Sequence, residues 1–201
     1  MRWEVFAERA DQLASVSGDH DKVDEVAALL RDADETGVVA RFVQGRVFPA
    51  WDDTKLDVGP ALLYDALALA GDETAEVIEG RVAEAGDVGD VAAELGLGGQ
   101  MTFGGTPDTV EDVSETLREV AEGEGEGSEE TKRRTLANLF MERSPAGAKY
   151  LARLVLGEMR LGVGEGTVRD AVAEAFGVGT GSVERGLMVT NGIAEVAETA
   201  R

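Results

Sequence analysis

The sequence predicts an all-α fold of about ten to twelve short helices, and three observations carry that expectation. Apolar residues recur at helical spacing along nearly the whole chain. Glycine and proline interrupt the pattern at intervals suited to helices near the common length of about eleven residues. No segment alternates apolar and polar residues in the manner of a half-buried strand. The N-terminal stretch MRWEVFAERADQLA reads as an amphipathic helix. Val23, Val26, Ala27 and Leu30 mark the next, after which Gly45 with Pro49, Gly71 and Gly86 end successive segments. In the second half the apolar faces are Val110, Val113, Leu117, Val120, then Leu151, Ala152, Val155, Leu156, then Val168, Ala171, Val172, Ala175, Phe176. Breaks at 96–105, 123–127, Gly157, Gly177 and Gly186 separate them.

Composition narrows the function classes. The chain has 201 residues, 43% of them apolar, enough for one domain with a real core. Lys+Arg number 19 against 40 Asp+Glu, a net charge of −21, and only four of the bases are lysines (Lys22, Lys55, Lys132, Lys149). Such an acidic, lysine-poor surface suits concentrated salt, which screens the repulsion. The absence of cysteine removes disulfides, thiolate metal sites and thiol nucleophiles, and a single histidine, His20, makes a His-based metal site or triad improbable. No apolar run approaches the ~20 residues of a membrane span, and the start lacks the form of a signal peptide. A soluble, cytoplasmic, halophilic monomer is expected, with no membrane partner and no resident metal or cofactor.

The chain also repeats itself. Lys22–Leu30 lies over Lys132–Phe140, Val39–Gly45 over Leu151–Gly157, Asp65–Ala68 over Asp170–Ala173, and Asp90–Ala92 over Glu195–Ala197. A single domain spanning 1–201 is therefore expected, with internal copies at roughly 1–100 and 106–201 related by a pseudo-twofold. Such a surface treats two similar objects alike, and the two backbones of a double helix are such a pair.

Charge is concentrated. Residues 131–160 hold seven bases and two acids, while 111–130 hold nine acids and the single base Arg118. A basic island in so acidic a chain points to a polyanion; the alternatives are ion pairing with the acidic surface around it, or docking of an acidic protein partner. Two glycine-rich stretches precede predicted helices: Gly123–Ser128, and Arg160-Leu161-Gly162-Val163-Gly164-Glu165-Gly166-Thr167. Glycine lets a backbone approach an anion, and a helix start offers free N–H groups and a favourable dipole. Lys132, Arg133, Arg153 and Arg160, with the backbone at Gly162 and Gly164, are the expected phosphate contacts. Ser128 and Thr167 are expected to support them as N-caps or hydroxyl donors. In the first copy Val23 and Asp24 stand in the places of Arg133 and Arg134, so Lys22 and Arg41 carry the expected grip.

These same residues resemble a known family. Gly125-Glu126-Gly127-Ser128 with Lys132, the run Ser144-Pro145-Ala146-Gly147-Ala148-Lys149-Tyr150-Leu151-Ala152-Arg153, the run Gly157–Val163, and Gly45-Arg46-Val47-Phe48-Pro49 with Trp51 are similar, in order, to motifs of ATP-dependent DNA ligases of the archaeal and eukaryotic type. The resemblance is to their N-terminal DNA-binding domain and implies an all-helical, pseudo-twofold fold that grips the minor groove of nicked duplex DNA in replication, repair and recombination. With the acidic composition it implies a haloarchaeal member. Glu129 stands where the family usually has Gln, and Gly147 where it usually has Glu. The family's adenylated lysine lies in K-x-D-G; Lys55 is followed by Leu56-Asp57-Val58, and no other lysine comes nearer. The resemblance thus implies that ATP and Mg serve a complete ligase whose adenylation and OB domains are absent from this chain, so that the chain alone is inactive. It also implies a short sliding-clamp tether at Gln100 and Phe103, although Gly104 stands where a second aromatic completes that motif. The other reading of Phe103 is a residue that tucks the inter-repeat loop onto the core.

Overall fold

The computed structural model describes residues 1–97, 108–123, 125, 127–190 and 192–201. Twelve helices are found among them, and no strand. The first half carries α1 (Trp3–Ser15), α2 (Asp19–Asp32), α3 (Thr36–Phe42), α4 (Pro60–Gly71), α5 (Ala75–Ala85) and α6 (Val88–Glu94). The second carries α7 (Val110–Glu122), α8 (Ser128–Phe140), α9 (Pro145–Val155), α10 (Glu165–Phe176), α11 (Thr180–Thr190) and α12 (Ile193–Ala200).

The apolar stripes read from the sequence are the buried faces. Val110, Val113, Leu117 and Val120 of α7 are all buried, as are Leu151, Ala152 and Val155 of α9 and Val168, Ala171 and Val172 of α10. Local chemistry sets several helix starts. Ser144 caps α9 by accepting from the Gly147 N–H at 3.0 Å, with Pro145 at the first position, and Thr109 closes a capping box with Asp112 on α7.

Packing crosses between the halves. The α2 helix lies on α10 and α4 on α8; α6 lies on α9 and α12 on α3; α1 lies on α9 and α7 on α3. Each pair becomes the other when the halves are exchanged, so neither half encloses its own core. Trp3 and Phe6 of α1 meet Phe42 of α3 edge-on, and the Trp3 indole donates to the Gly147 carbonyl of α9 at 3.1 Å. The starts of α1 and α7 are joined directly, Trp3 N–H to Asp108 carbonyl at 2.7 Å and Val110 N–H to Met1 carbonyl at 3.0 Å.

Backbone conformation repeats as well. Left-handed residues occur in pairs: Gly45 (φ 72°) with Gly157 (φ 71°), Asp57 (52°) with Gly162 (63°), and Asp72 (54°) with Gly177 (65°). The first pair meets, for a β-carbon on residue 45 would stand 2.8 Å from the Gly157 carbonyl oxygen, and one on residue 157 would stand 3.5 Å from that of Gly45. These glycines mark where the turn after α3 meets the turn after α9. Glycine is required at 45 both by its φ and by this approach.

Gly45→Ala is expected to destabilise the fold by roughly 3 kcal/mol, combining left-handed strain with overpacking. Gly86→Ala has the same φ problem (73°) in open space and should cost only about 1 kcal/mol. Urea melts of the two variants make the comparison; equal losses would show that the turns simply move apart.

Candidate nucleic-acid interface

Two loops, one in each half, match in sequence and in backbone conformation. Lys55-Leu56-Asp57-Val58-Gly59 leads into α4, and Arg160-Leu161-Gly162-Val163-Gly164 leads into α10. A left-handed residue sits third in each, joined in the second loop by Arg160 at the first position, and the helix N-cap is a glycine of nearly the same conformation, Gly59 at φ −85°, ψ 173° and Gly164 at φ −94°, ψ 174°. Neither glycine supplies a capping side chain, and neither has another group within 4 Å of where a β-carbon would stand. The first-turn N–H groups of both helices are therefore left without a side-chain cap. The first turn of α4 holds no acid, while Glu165 in that of α10 pairs with Arg46 at 2.7 Å. Loop 55–59 lines a groove of about 460 Å³ together with Gly45, Phe48, Leu156 and Gly157.

Arg160 is the anchored cation of this face. Its φ of 54° is unusual for a non-glycine residue. Its Nη1 lies 2.9 Å from an Asp87 carboxylate oxygen and donates to the Gly86 carbonyl at 3.2 Å, while Nη2 donates to Glu158 at 3.3 Å. The side chain stays 48% exposed. Asp87 caps α6, accepting from the Gly89 N–H at 2.6 Å and the Asp90 N–H at 3.2 Å. It also takes a bidentate pair from Arg153, Nε at 3.2 Å and Nη2 at 2.9 Å. Burial pushes the Asp87 carboxyl upward, but the Arg153 hydrogen bond and charge and the two backbone N–H groups outweigh it and hold it below the usual carboxylate range. A β-carbon on Gly89 would stand 2.8 Å from Arg153 side-chain atoms, so glycine lets α6 approach α9 closely enough for the pair.

Arg153 accordingly departs from the expected phosphate contact: it is 7% exposed and committed to Asp87 and Asp90. Arg41, its counterpart in the first copy, is also turned inward. It donates to Ser114 at 3.4 Å and faces Glu195, Glu198 and Glu111, with burial lowering its pKa against their pull. No carboxylate corresponding to Asp87 awaits it, because the N-cap of α12 is Gly192. The basic island is mostly neutralised within the molecule. Arg133 and Arg134 share Glu130, Arg143 pairs with Glu4, and Lys149 pairs with Asp11 and Asp90, so six of the seven bases in 131–160 hold carboxylates. Lys132 has no ion pair among the described residues. Neither does Lys55, which is fully on the surface.

Other expectations shift by small distances. Ser128 and Thr167 are not N-caps: α8 begins after Gly127 and α10 after Gly164, which places Ser128 first and Thr167 third inside their helices. Both lie in the first turn of a helix whose start carries no side-chain cap. Lys22 donates two hydrogen bonds, to the Leu161 and Gly162 carbonyls at 3.0 and 3.1 Å, and so pins the second loop from α2. Any side chain at 162 would overlap its ammonium. Gly147 is buried rather than beside the interface. The Glu4 carboxylate of α1 lies 2.5 Å from where a β-carbon on 147 would stand, and accepts from Ser144. Gln100 and Phe103 lie outside the described residues. Lys55 is the residue that charge counting misses; its signal is the match of Leu56-Asp57-Val58-Gly59 to Leu161-Gly162-Val163-Gly164.

Among the described residues no group of three His, Asp or Glu is arranged to hold a metal ion, and no helix is long and apolar enough to cross a membrane. The family model described as DNA ligase N terminus matches residues 2–173. The chain is 53% identical to a DNA ligase of Natronomonas pharaonis and 50% identical to one of Halobacterium salinarum, in each case over 100% of this chain and 38% of the relative. A DNA ligase of Thermococcus onnurineus is 44% identical over 82% of this chain and 29% of its own length. The chain thus spans about two fifths of the haloarchaeal relatives.

The Asp87 geometry generates a pH test. A carboxyl whose folded pKa lies below its unfolded value of about 3.9 contributes stability that is complete above that value and is lost as pH falls through the folded one. Asp87→Asn keeps a capping side chain but leaves Arg153 short of a counterion, at a cost of about 3 kcal/mol. The gap in melting temperature between wild type and Asp87→Asn is expected to hold constant above about pH 5 and to narrow on further acidification. A gap that ignores pH would mean that Asp87 acts only as a cap.

Proposed function

The chain belongs to the DNA ligase N-terminus family, and from that premise we propose that it is the DNA-gripping part of an ATP-dependent ligase of haloarchaeal type. Its substrate is nicked duplex DNA, held through backbone phosphates along the minor groove. The twofold-related loop pair carries this reading. Loops 55–60 and 160–165 each present a cation at the first position, a left-handed residue at the third and an uncapped helix start, and in the second loop Arg160 is left-handed as well. Two such elements about an axis suit two antiparallel backbones. Contacts of this kind fix position without reading sequence, as an enzyme that must act at any nick requires.

In this reading Lys55 and Arg160 are the paired phosphate contacts, and Lys132 is a further one. The N–H groups after Gly59 and Gly164 add neutral hydrogen bonds, with Ser128 and Thr167 as donors beside them. Lys22 acts through the loop it pins. Because the chain lacks a K-x-D-G lysine, its residues do not fit ATP activation, and that chemistry is assigned to the remaining length of the ligase, with ATP and Mg. Replication, repair and recombination in the cytoplasm follow from the ligase role. A monomer is supported by the exchange of packing between halves, which already provides a twofold within one chain. A sliding clamp is proposed as a second partner through Gln100 and Phe103, on sequence resemblance alone.

Lys55→Ala and Arg160→Ala should each weaken binding to a fluorescent nicked duplex for every sequence tested, and flatten the slope of log K against log salt by about 0.9. Unchanged affinity for both across a salt series would remove this face from DNA binding, and competition by an acidic peptide alone would favour the docking module. For the clamp, a pull-down with the cognate protein should lose capture on Phe103→Ala. Equal capture of both forms ends the tether.

A further inference from the structure

Five N–H groups converge on the Asp87 carboxylate: two from the α6 backbone, two from Arg153 and one from Arg160. One oxygen takes the backbone pair and Arg153 Nε; the other is shared by the two guanidinium groups, each at 2.9 Å. Asp87 is 5% exposed and Arg153 7%, whereas the Arg160 side chain is 48% exposed. The arrangement is a graded one, from a buried cation through a buried carboxylate to a surface cation.

Resting on the phosphate-binding reading above, we propose that Arg153 and Asp87 are positioning residues for Arg160, and that Arg153 touches no phosphate itself. A long arginine side chain loses much rotamer freedom when it is fixed on a ligand. Asp87 removes much of that loss beforehand by holding Nη1 against the α5–α6 junction. Arg153 makes this possible, since its fork fixes both carboxylate oxygens and its charge keeps Asp87 ionised in a buried place. Asp90 completes the balance by pairing with Arg153 at 3.4 Å and Lys149 at 3.3 Å. The surroundings explain why Arg160 is not simply neutralised. Asp87 is already matched by Arg153, and the other carboxylate on Arg160, Glu158 at 3.3 Å, is 61% exposed, so an incoming anion displaces a solvated partner and not a buried one. The left-handed backbone at Arg160 fits the same role, because it aims the side chain back across Gly86 rather than along the loop.

A double-mutant cycle on DNA affinity tests the assignment, using the 201-residue chain and a fluorescein-labelled nicked duplex, with each variant's melt recorded at the assay salt. Arg160→Ala should weaken binding about tenfold and flatten the salt slope by about 0.9. Asp87→Asn should weaken binding severalfold in the wild-type background and leave it unchanged in the Arg160→Ala background. Arg153→Lys retains the buried charge and the fold but loses the fork, and it should show the same dependence on Arg160 even where Asp87→Asn does not fold. Losses from Asp87→Asn or Arg153→Lys that persist undiminished without Arg160 would overturn the positioning role while leaving the DNA-binding reading intact. An Arg160→Ala variant that binds as wild type would remove Arg160 as a contact and with it the positioning role, and the DNA-binding reading falls too if Lys55→Ala also binds as wild type.

Discussion

The Gly157 carbonyl oxygen leaves no room for a β-carbon on residue 45, and the close passage of these two turns sets the rest of the axis face. Because both turns end a helix in a left-handed residue, the chain leaves α3 and α9 in symmetry-related directions and enters two equivalent loops. Those loops deliver α4 against α8 and α10 against α2, so the main packing runs between halves. A perturbation at the axis is therefore felt by both copies at once. The same crossing explains how the second loop is held: Lys22 reaches it from the first half, and Asp87, also from the first half, holds its arginine.

Much of the fold was legible because helix burial is a local, periodic property. The stripes on α7, α9 and α10 needed only spacing to be read, and Ser144-Pro145 announced its own helix start. The interface was less legible because ion pairing is not local. Arg153 looks like a phosphate ligand in a basic island, yet its partner Asp87 lies 66 residues away in the chain. Lys22 reads as a DNA contact, and its two acceptors lie 139 and 140 residues off. Loop equivalence falls between these extremes. The match of 56–59 to 161–164 is plain once sought, but Lys55 reads first as part of a defective nucleotidyl-transfer motif. The N-cap assignments of Ser128 and Thr167 missed by one and three residues because glycine in β-region or left-handed conformation can occupy a cap position that the sequence gives no reason to prefer.

The proposed grip of an acidic chain on a polyanion is contradictory only if charge is summed over the whole molecule. At roughly 1 M salt the screening length is about 3 Å, shorter than the distance from the interface to most of the 40 acids. What counts under those conditions is which groups lie within contact range of a phosphate. Counterion release weakens as salt rises, so each cation contributes less than it would in dilute buffer. Neutral hydrogen bonds from uncapped helix starts lose less, and a cation already oriented forfeits less entropy on binding. The face around the axis offers both, two glycine-started helices and one arginine held by a buried carboxylate. The internal neutralisation of the basic island and the proposed grip on DNA are therefore compatible. Carboxylates such as Asp87 fix the direction of a guanidinium without covering it, and in strong salt direction is worth more than the number of positive charges.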